Sequence, residues 1–486
     1  MNRYRHLSSI LFVLLIANFH IPAFSQEESA SQSSESSVSR SSNGTHRWKN
    51  STGVTSFNIE SRGKIEVTDD DRDIKSLSND GYLEITKTVF GSKRAIVIES
   101  LGGGKIKKEY YEGRTKMEWD PNGKNWLAEI LPEIVRSTTL GAEGRVNRIY
   151  AKDGVPGVVA ELSRLEGDYT AAHYAKLLLE KNIPASELPR AIRGIADAIN
   201  SDYYLSTVLQ GNVTRMLSTP EAANAFLDAT DKIGSAYYKS QVLKEAAKKL
   251  AGSPTQVKTI LQSAAEIDSD YYLSVVLITL LEQSALKEES VKELIPVSKN
   301  IPSDYYRSQV LNKALEKSSL SNEGLKNIVN ALEDLNSDYY KSTVFNTMAE
   351  RMTLEPEVQI QMINQIKESM NSDYYATGVL KNILEHQRFS DESFRLLVNV
   401  GGNFNSANYA SDVLKAASEK DLNKNQLIDI LNASANIDSD HYLSEVLISL
   451  SDQVKTSDSA VKEAYRAAAK KIDNDTYYGR AVKAID

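Results

Sequence analysis

The sequence predicts an α+β protein: a small N-terminal antiparallel β domain followed by an α-α superhelix, a HEAT/TPR-like solenoid of about ten 34-residue repeats. Three observations carry this. A Ser-Asp-Tyr-Tyr segment at Ser269 has relatives starting at Ser201, Ser235, Ser303, Ser337, Ser372, Ser406 and Ser439, with a worn copy at Asn474. Successive starts differ by 34 residues from 201 to 337, then by 35, 34 and 33, and such a period means stacked copies of one supersecondary unit. Within a unit, Val257, Ile260, Leu261 and Ala264, and again Tyr272, Val276, Leu277, Leu280 and Leu281, fall at helical spacing, so each unit is a pair of helices.

Taken in order, the chain begins with the pattern of an export signal. Arg3 and Arg5 precede the apolar run Ile10 to Ala17, which is short for a bilayer span, and Ala23-Phe24-Ser25 offers a small-residue cleavage site. Residues 1–25 are therefore expected to be a signal peptide and the mature chain to have no membrane span. Residues 26–50 are rich in Ser, Glu and Gln with few apolar side chains, too few to offset the entropy of ordering, so a disordered Ser-rich linker is expected.

The periodicity changes to two between Thr55 and Trp119. Phe57 and Ile59, Ile65 and Val67, Leu83 and Ile85, and Ile96 and Ile98 alternate with polar neighbours, separated by turn formers such as Asn79-Asp80-Gly81, Gly102-Gly103-Gly104 and Asp120-Pro121-Asn122-Gly123. An antiparallel β domain of about six short strands is expected over 51–124. Residues 125–166 read as a helical junction that caps the open end of an array, with Pro132 starting a second helix or kinking the first.

The solenoid is expected over 167–486, with Asp168-Tyr169 as a degenerate first copy. In each motif the Ser is placed to cap the next helix, and the Asp to face the positive end of its dipole. Thr219-Pro220 and Ser253-Pro254 mark starts of second helices, where the missing proline N–H does no harm.

The two tyrosines separate on comparison among copies. The second persists as Tyr204, Tyr238, Tyr272, Tyr306, Tyr340, Tyr375, Tyr409 and Tyr442, with Tyr478 assigned to the worn copy, and it lies beside the following Val on the helical wheel. It is expected in the core. The first becomes Asn408 and His441 in late copies. Two readings remain for it: a filler of the seam between units, or a surface ladder of Tyr203, Tyr237, Tyr271, Tyr305, Tyr339 and Tyr374 that binds an extended polymer or peptide.

Composition narrows the chemistry. With 57 Lys and Arg against 65 Asp and Glu, the net charge is -8, which disfavours nucleic acid and anionic lipid as partners. The chain has no cysteine, so no disulfide supports it. Six histidines show no metal-ligand spacing and no HExxH, and no GxSxG elbow is present. Gly102-Gly103-Gly104-Lys105 lacks the spacing of a phosphate loop and reads as a hairpin turn. Asp69-Asp70-Asp71-Arg72-Asp73 lacks the alternating ligands of a calcium loop and reads as a solvated acidic turn. No catalytic residue, cofactor or metal is expected.

Gly81-Tyr82-Leu83-Glu84-Ile85, Trp126-Leu127-Ala128, Arg145-Val146 and the Ser-Asp-Tyr-Tyr copies together resemble exported bacterial proteins with a small β domain and HEAT-like repeats. Similar segments form the extracytoplasmic part of some membrane metallopeptidases related to the β-lactam-sensing receptor. The resemblance implies a periplasmic or secreted location and a sensing or binding role, and no catalytic residue carries over because the zinc motif is missing here. The resulting expectation is an exported, non-enzymatic scaffold whose solenoid surface holds a protein or peptide partner. The alternative is adhesion or envelope-glycan binding through the β domain and the tyrosines.

Overall fold

The computed structural model describes residues 35–40, 44–52, 54–317 and 320–486. The expected signal peptide and the start of the expected linker lie outside the described residues. The chain divides into two compact units at Ile130/Leu131, and each is built differently.

In the first unit the strands are β1 (Glu35–Arg40), β2 (His46–Thr52), β3 (Thr55–Arg62), β4 (Ile65–Val67), β5 (Ile74–Leu77), β6 (Tyr82–Val89), β7 (Ser92–Gly102), β8 (Lys105–Glu112) and β9 (Thr115–Met117). Seven of them form one antiparallel sheet in the order β1-β2-β3-β6-β7-β8-β9, while β4 and β5 pair as a separate ribbon. Alternation puts one row on one face: Trp48, Ile59, Ile85, Ile96 and Tyr110 stand opposite one another across five strands, and all are buried. The neighbouring row, Arg47, Glu60, Glu84, Val97 and Glu109, lies on the other face, where Arg47 and Glu60 pair at 2.9 Å.

Nine strands are described where about six were expected, and two of the additional ones arise from the stretch expected to be disordered. Backbone N–H and C=O groups make the ladder, and Ser supplies these as well as Val does. Thr45 and Trp48 are buried, and the Trp48 ring stacks on His46 at 5.7 Å. With so few apolar side chains, periodicity has almost nothing to register there.

The expected hairpin at Gly102-Gly103-Gly104 is present, all three glycines having positive φ. The Asp69–Asp73 stretch joins β4 to β5. Asp70 accepts from Thr68 Oγ1 at 2.6 Å, and Lys108 Nζ donates to Asp73 at 2.5 Å. Helix α1 (Lys124–Ser137) continues through Pro132, and Trp126 at its start packs on Tyr110 at 5.6 Å.

The second unit opens with α2 (Ala142–Leu162), which bends at Gly154 (φ 64°, ψ −151°) just before Pro156. Only glycine adopts that backbone without strain. The cap holds a buried ionic cluster. Arg145, 1% exposed, donates to Glu161 Oε1 at 2.6 Å and to the Tyr174 hydroxyl, and that hydroxyl donates to the Val135 carbonyl at 3.2 Å. A buried guanidinium is stable only when paired and hydrogen-bonded in this way.

Helix pairs then repeat: α3/α4 (Asp168–Leu179, Leu188–Ala198), α5/α6 (Asp202–Met216, Pro220–Asp231), α7/α8 (Ala236–Leu250, Pro254–Ala264), α9/α10 (Asp270–Glu282, Glu288–Val297) and α11/α12 (Asp304–Lys317, Asn322–Ala331). They continue as α13/α14 (Asp338–Arg351, Pro356–Ser369), α15/α16 (Asp373–His386, Asp391–Gly402), α17/α18 (Ala407–Ser418, Lys424–Ser434) and α19/α20 (Asp440–Lys455, Ser459–Ala469), and α21 (Asp475–Ile485) closes the array without a partner. Nine pairs and a single helix thus stand for the ten expected repeats. One apolar core runs from Ala142 to Ala481.

The position after the second tyrosine varies in a way that hydrophobic patterning does not anticipate. It is Leu in α5, α9 and α19, yet Lys239, Arg307 and Lys341 are equally buried. Arg307 donates to the Ile301 and Lys299 carbonyls at 2.8 and 3.0 Å, Lys341 Nζ to the Ser369 carbonyl at 2.7 Å, and Lys239 pairs with Asp231 at 3.0 Å. These cations meet the C-terminal ends of second helices, where carbonyls lack intrahelical partners and the dipole is negative. Burial lowers the proton affinity of both Arg307 and Lys341.

Candidate functional site: a tyrosine ladder

The turns between units place the tyrosines, and the motif Asp fixes those turns. Asp338, the first residue of α13, accepts from the backbone N–H groups of Asn371 and Ser372 in the next turn at 2.9 and 2.6 Å. Asp304 holds Asn336 and Ser337 at 3.0 and 2.6 Å, and Asp202 holds Gly234 and Ser235 at 3.2 and 2.7 Å. Asp168, Asp270, Asp373 and Asp440 repeat the bond. Each carboxylate thus sits at the start of its own helix, as expected, and also latches the following unit. The two motifs without it carry Ala236 and Ala407.

The Ser of the motif does less than expected. Its hydroxyl accepts a capping bond at Ser269, from the Tyr272 N–H at 3.5 Å, and makes none at Ser201, Ser235, Ser337, Ser372, Ser406 or Ser439. At Ser201, Ser235, Ser337, Ser372 and Ser406 the carboxylate of the preceding unit holds the turn instead. A second serine, four residues along from the Asp, was not singled out by sequence reasoning. Ser206, Ser240, Ser274, Ser308 and Ser342 are buried, and each hydroxyl donates to the carbonyl of the first tyrosine of its motif at 2.7–2.9 Å. Its recurrence from Ser206 to Ser444, broken only by Thr377, was the available signal.

The rings form one zigzag. Tyr203 meets Tyr204 of its own unit at 5.0 Å and Tyr238 of the next at 5.9 Å, both edge to face. The pattern repeats through Tyr237, Tyr271, Tyr305 and Tyr339 to Tyr374, which reaches Tyr409 at 6.2 Å. Tyr169 belongs as well, 6.0 Å from Tyr204; its copy lacks the preceding Ser, which hid it among the candidates.

Both readings of the first tyrosine thus describe part of what is found. Each ring touches the next unit across the seam, and each stays exposed, from 39% for Tyr169 to 61% for Tyr374. None of the seven hydroxyls is hydrogen-bonded to another described residue. The second tyrosines are half-buried against the core rather than fully enclosed. Burial, with Tyr203, Tyr169 and Asp168 nearby, raises the pKa of Tyr204.

Beyond Tyr374 the zigzag changes. Asn408 is exposed in the first position, and His441 replaces the ring between Tyr442 at 5.0 Å and Tyr477 at 5.5 Å. In the last copy Tyr477, not Tyr478, therefore takes the second position and Thr476 the first; Tyr478 is 39% exposed. His441 Nε2 lies 3.5 Å from Glu445, whose pKa is lowered by the hydrogen bond from Lys415 and by nearby positive charge.

Elsewhere in this unit a groove of about 1000 Å³ opens beside Gly234, Ala236, Lys239 and Asp268. Two of its carboxylates are already engaged, Asp231 by Lys239 and Ser263, and Asp228 by Arg193. Among the described residues no group of three or more His, Asp or Glu is arranged to hold a metal ion, and no helix is long and apolar enough to cross a membrane.

No family model and no curated protein matches the chain. Among solved structures it is similar to a circular tandem repeat protein with a novel repeat topology and enhanced subunit contact surfaces. Identity is 11%, covering 75% of this chain and 78% of that one, with a TM-score of 0.16. It is also similar to a protein from the computational design of self-assembling cyclic homooligomers, at 11% identity over 71% of this chain and 96% of that one, with a TM-score of 0.10. At such overlap neither bears on function.

Proposed function

We propose that this is an exported, non-enzymatic binding scaffold whose helical repeats hold a protein or peptide partner, with a role in sensing at a bacterial envelope. The observation that supports it is the tyrosine ladder: seven half-exposed rings in consecutive units, each with its hydroxyl unused by the fold. A surface repeated in every unit suits a ligand that is itself extended, whereas a catalytic centre needs one convergent set of groups. Residues 1–25 supply the expected export signal, and the resemblance to extracytoplasmic segments of sensor peptidases supports the envelope location. Envelope glycan is the second reading, kept because exposed aromatic rings at regular intervals serve polymers of either kind.

The test is a pull-down from bacterial envelope extract with the mature chain and with a Tyr271→Asn, Tyr305→Asn, Tyr339→Asn variant. Asn is the replacement of choice because the chain itself carries it at 408. Recovery of one stoichiometric protein that the variant no longer retains supports the scaffold. Retention only on purified glycan favours the second reading, and equal recovery by both chains removes the ladder from the binding surface.

A further inference from the structure

We infer that the occupant of the ladder is a polyproline II segment, an inference that rests on the ladder being a binding surface. Spacing is the first argument. Tyr203 reaches Tyr237 in two steps, 5.9 Å to Tyr238 and 5.0 Å back, so successive exposed rings lie no more than about 11 Å apart, and packed neighbouring helices set the interval near 8–10 Å. A polyproline II chain has three residues per turn and rises ~3.1 Å per residue, so it presents the same face every ~9.3 Å. Every third residue then meets the next rung. A β-strand presents one face every ~6.8 Å and drifts out of step within two rungs.

The second argument is hydrogen bonding. A polyproline II backbone has no internal hydrogen bonds, so its carbonyls need donors. The hydroxyls of Tyr169, Tyr203, Tyr237, Tyr271, Tyr305, Tyr339 and Tyr374 have no partner among the described residues. A tyrosine ring that packs on a proline while its hydroxyl donates to a carbonyl is the usual chemistry of aromatic-lined grooves for such segments.

Charge is the third. Four residues on from the rungs Tyr203 to Tyr374, on the same helix face, stand Thr207, Gln241, Val275, Gln309, Thr343 and Gly378, none buried and none charged, with His173 in that place at the first rung, Tyr169. Where the rungs stop, the same position becomes Asp412 and then Glu445. Over those six rungs a neutral strip matches an uncharged proline-rich ligand better than a charged one. Seven rungs accommodate a segment of about 20 residues.

The experiment is calorimetric titration of the full chain with oligoproline peptides of about 6, 12 and 18 residues, with Gly-Ser peptides of equal length as controls. Affinity is expected to rise at least about tenfold from the shortest to the longest oligoproline, as rungs are added. The triple Asn variant is expected to lose about as much for the longest. Oligoproline binding no tighter than Gly-Ser, or unchanged in the variant, overturns the inference. Length dependence is measured on the unaltered chain, so the test stands even if the variant is less stable. If oligoproline fails while the variant still loses the envelope partner or a chitin oligosaccharide, the occupant is wrong and the ladder stands. If the variant loses no ligand at all, both fall.

Discussion

From Tyr203 to Tyr374 every repeat keeps both rings; before them Tyr169 is followed by Thr170, and beyond them Asn408, His441 and Thr476 take the first place while Tyr409, Tyr442 and Tyr477 hold the second. The helix pairs on either side of this change are alike, and the core is continuous through both. From α5 onward the fold therefore keeps the second ring, which covers apolar core, and dispenses with the first in the late units. An exposed aromatic ring that the stack can do without, yet which stands in seven consecutive units, is a feature of the surface. The split between one structural and one available tyrosine lies within a dipeptide.

Substitution in a single unit tests that split most strongly. Tyr306→Ala removes a half-buried ring packed on the core and is expected to cost about 2 kcal/mol, whereas Tyr305→Asn is expected to cost less than about 1 kcal/mol. Denaturant midpoints of the two variants measure the difference, and equal midpoints would remove the distinction. Next in size is the latch. Asp338→Ala strips two backbone N–H groups of a charged acceptor and is expected to cost about 1.5 kcal/mol. Its effect is also expected to be local, appearing as faster amide exchange at Asn371 and Ser372, since repeat arrays transmit stability mainly to neighbours. Unchanged exchange there would show that the carboxylate does not hold the turn.

How much of this was legible beforehand follows from which interactions leave a periodic trace. The helix pairs, their proline-marked starts and the importance of the second tyrosine were readable because core burial imposes a spacing on each copy. The latch was half readable: Asp recurs at a helix start, but the same residue type serves the dipole of its own helix and the turn of the next, and only coordinates show the reach. Strands β1 and β2 were not readable, because their pairing is made by backbone atoms. Nor were Lys239, Arg307 and Lys341, since a buried cation on a helix looks in sequence like an exposed one until the carbonyls it meets are known. For the first tyrosine, a seam filler and a surface rung have the same spacing, and only coordinates show that one ring is both, touching the next unit while standing exposed.

Those buried cations supply a smaller effect that also compares neighbouring units. Lys341 and Arg307 occupy one position, and burial lowers the pKa of each. For Lys341 the unfolded chain binds the proton more tightly than the folded one. Stability therefore rises with pH from the lowered folded value up to the ordinary lysine value. Arg307 stays charged throughout any accessible range and adds no such slope. Lys341→Met is expected to flatten the alkaline arm of a stability-against-pH curve, and Arg307→Met to leave its slope unchanged. The same slope in the Lys341→Met variant as in the parent would show that the ammonium is not the group responsible.

The smallest expected effect runs the other way, by building the missing rung. Asn408→Tyr puts a ring beside Tyr409 and within reach of Tyr442, the two kinds of partner that each rung from Tyr203 to Tyr374 has. Asn and Tyr differ little in helix propensity, and an edge-to-face aromatic pair contributes about 0.5–1.5 kcal/mol where it forms well. Exposure on a helix surface puts the expected gain near the lower end, about 0.5 kcal/mol, read as a higher denaturant midpoint. The more telling readout is ligand length. If rungs are counted off in threes by a polyproline II chain, the eighth rung extends the length over which affinity still grows by about three residues. Asp412 beside it keeps that gain small, because the neutral strip has ended there. A rung that stabilises the stack but adds nothing to ligand length would mean that ring spacing serves packing alone.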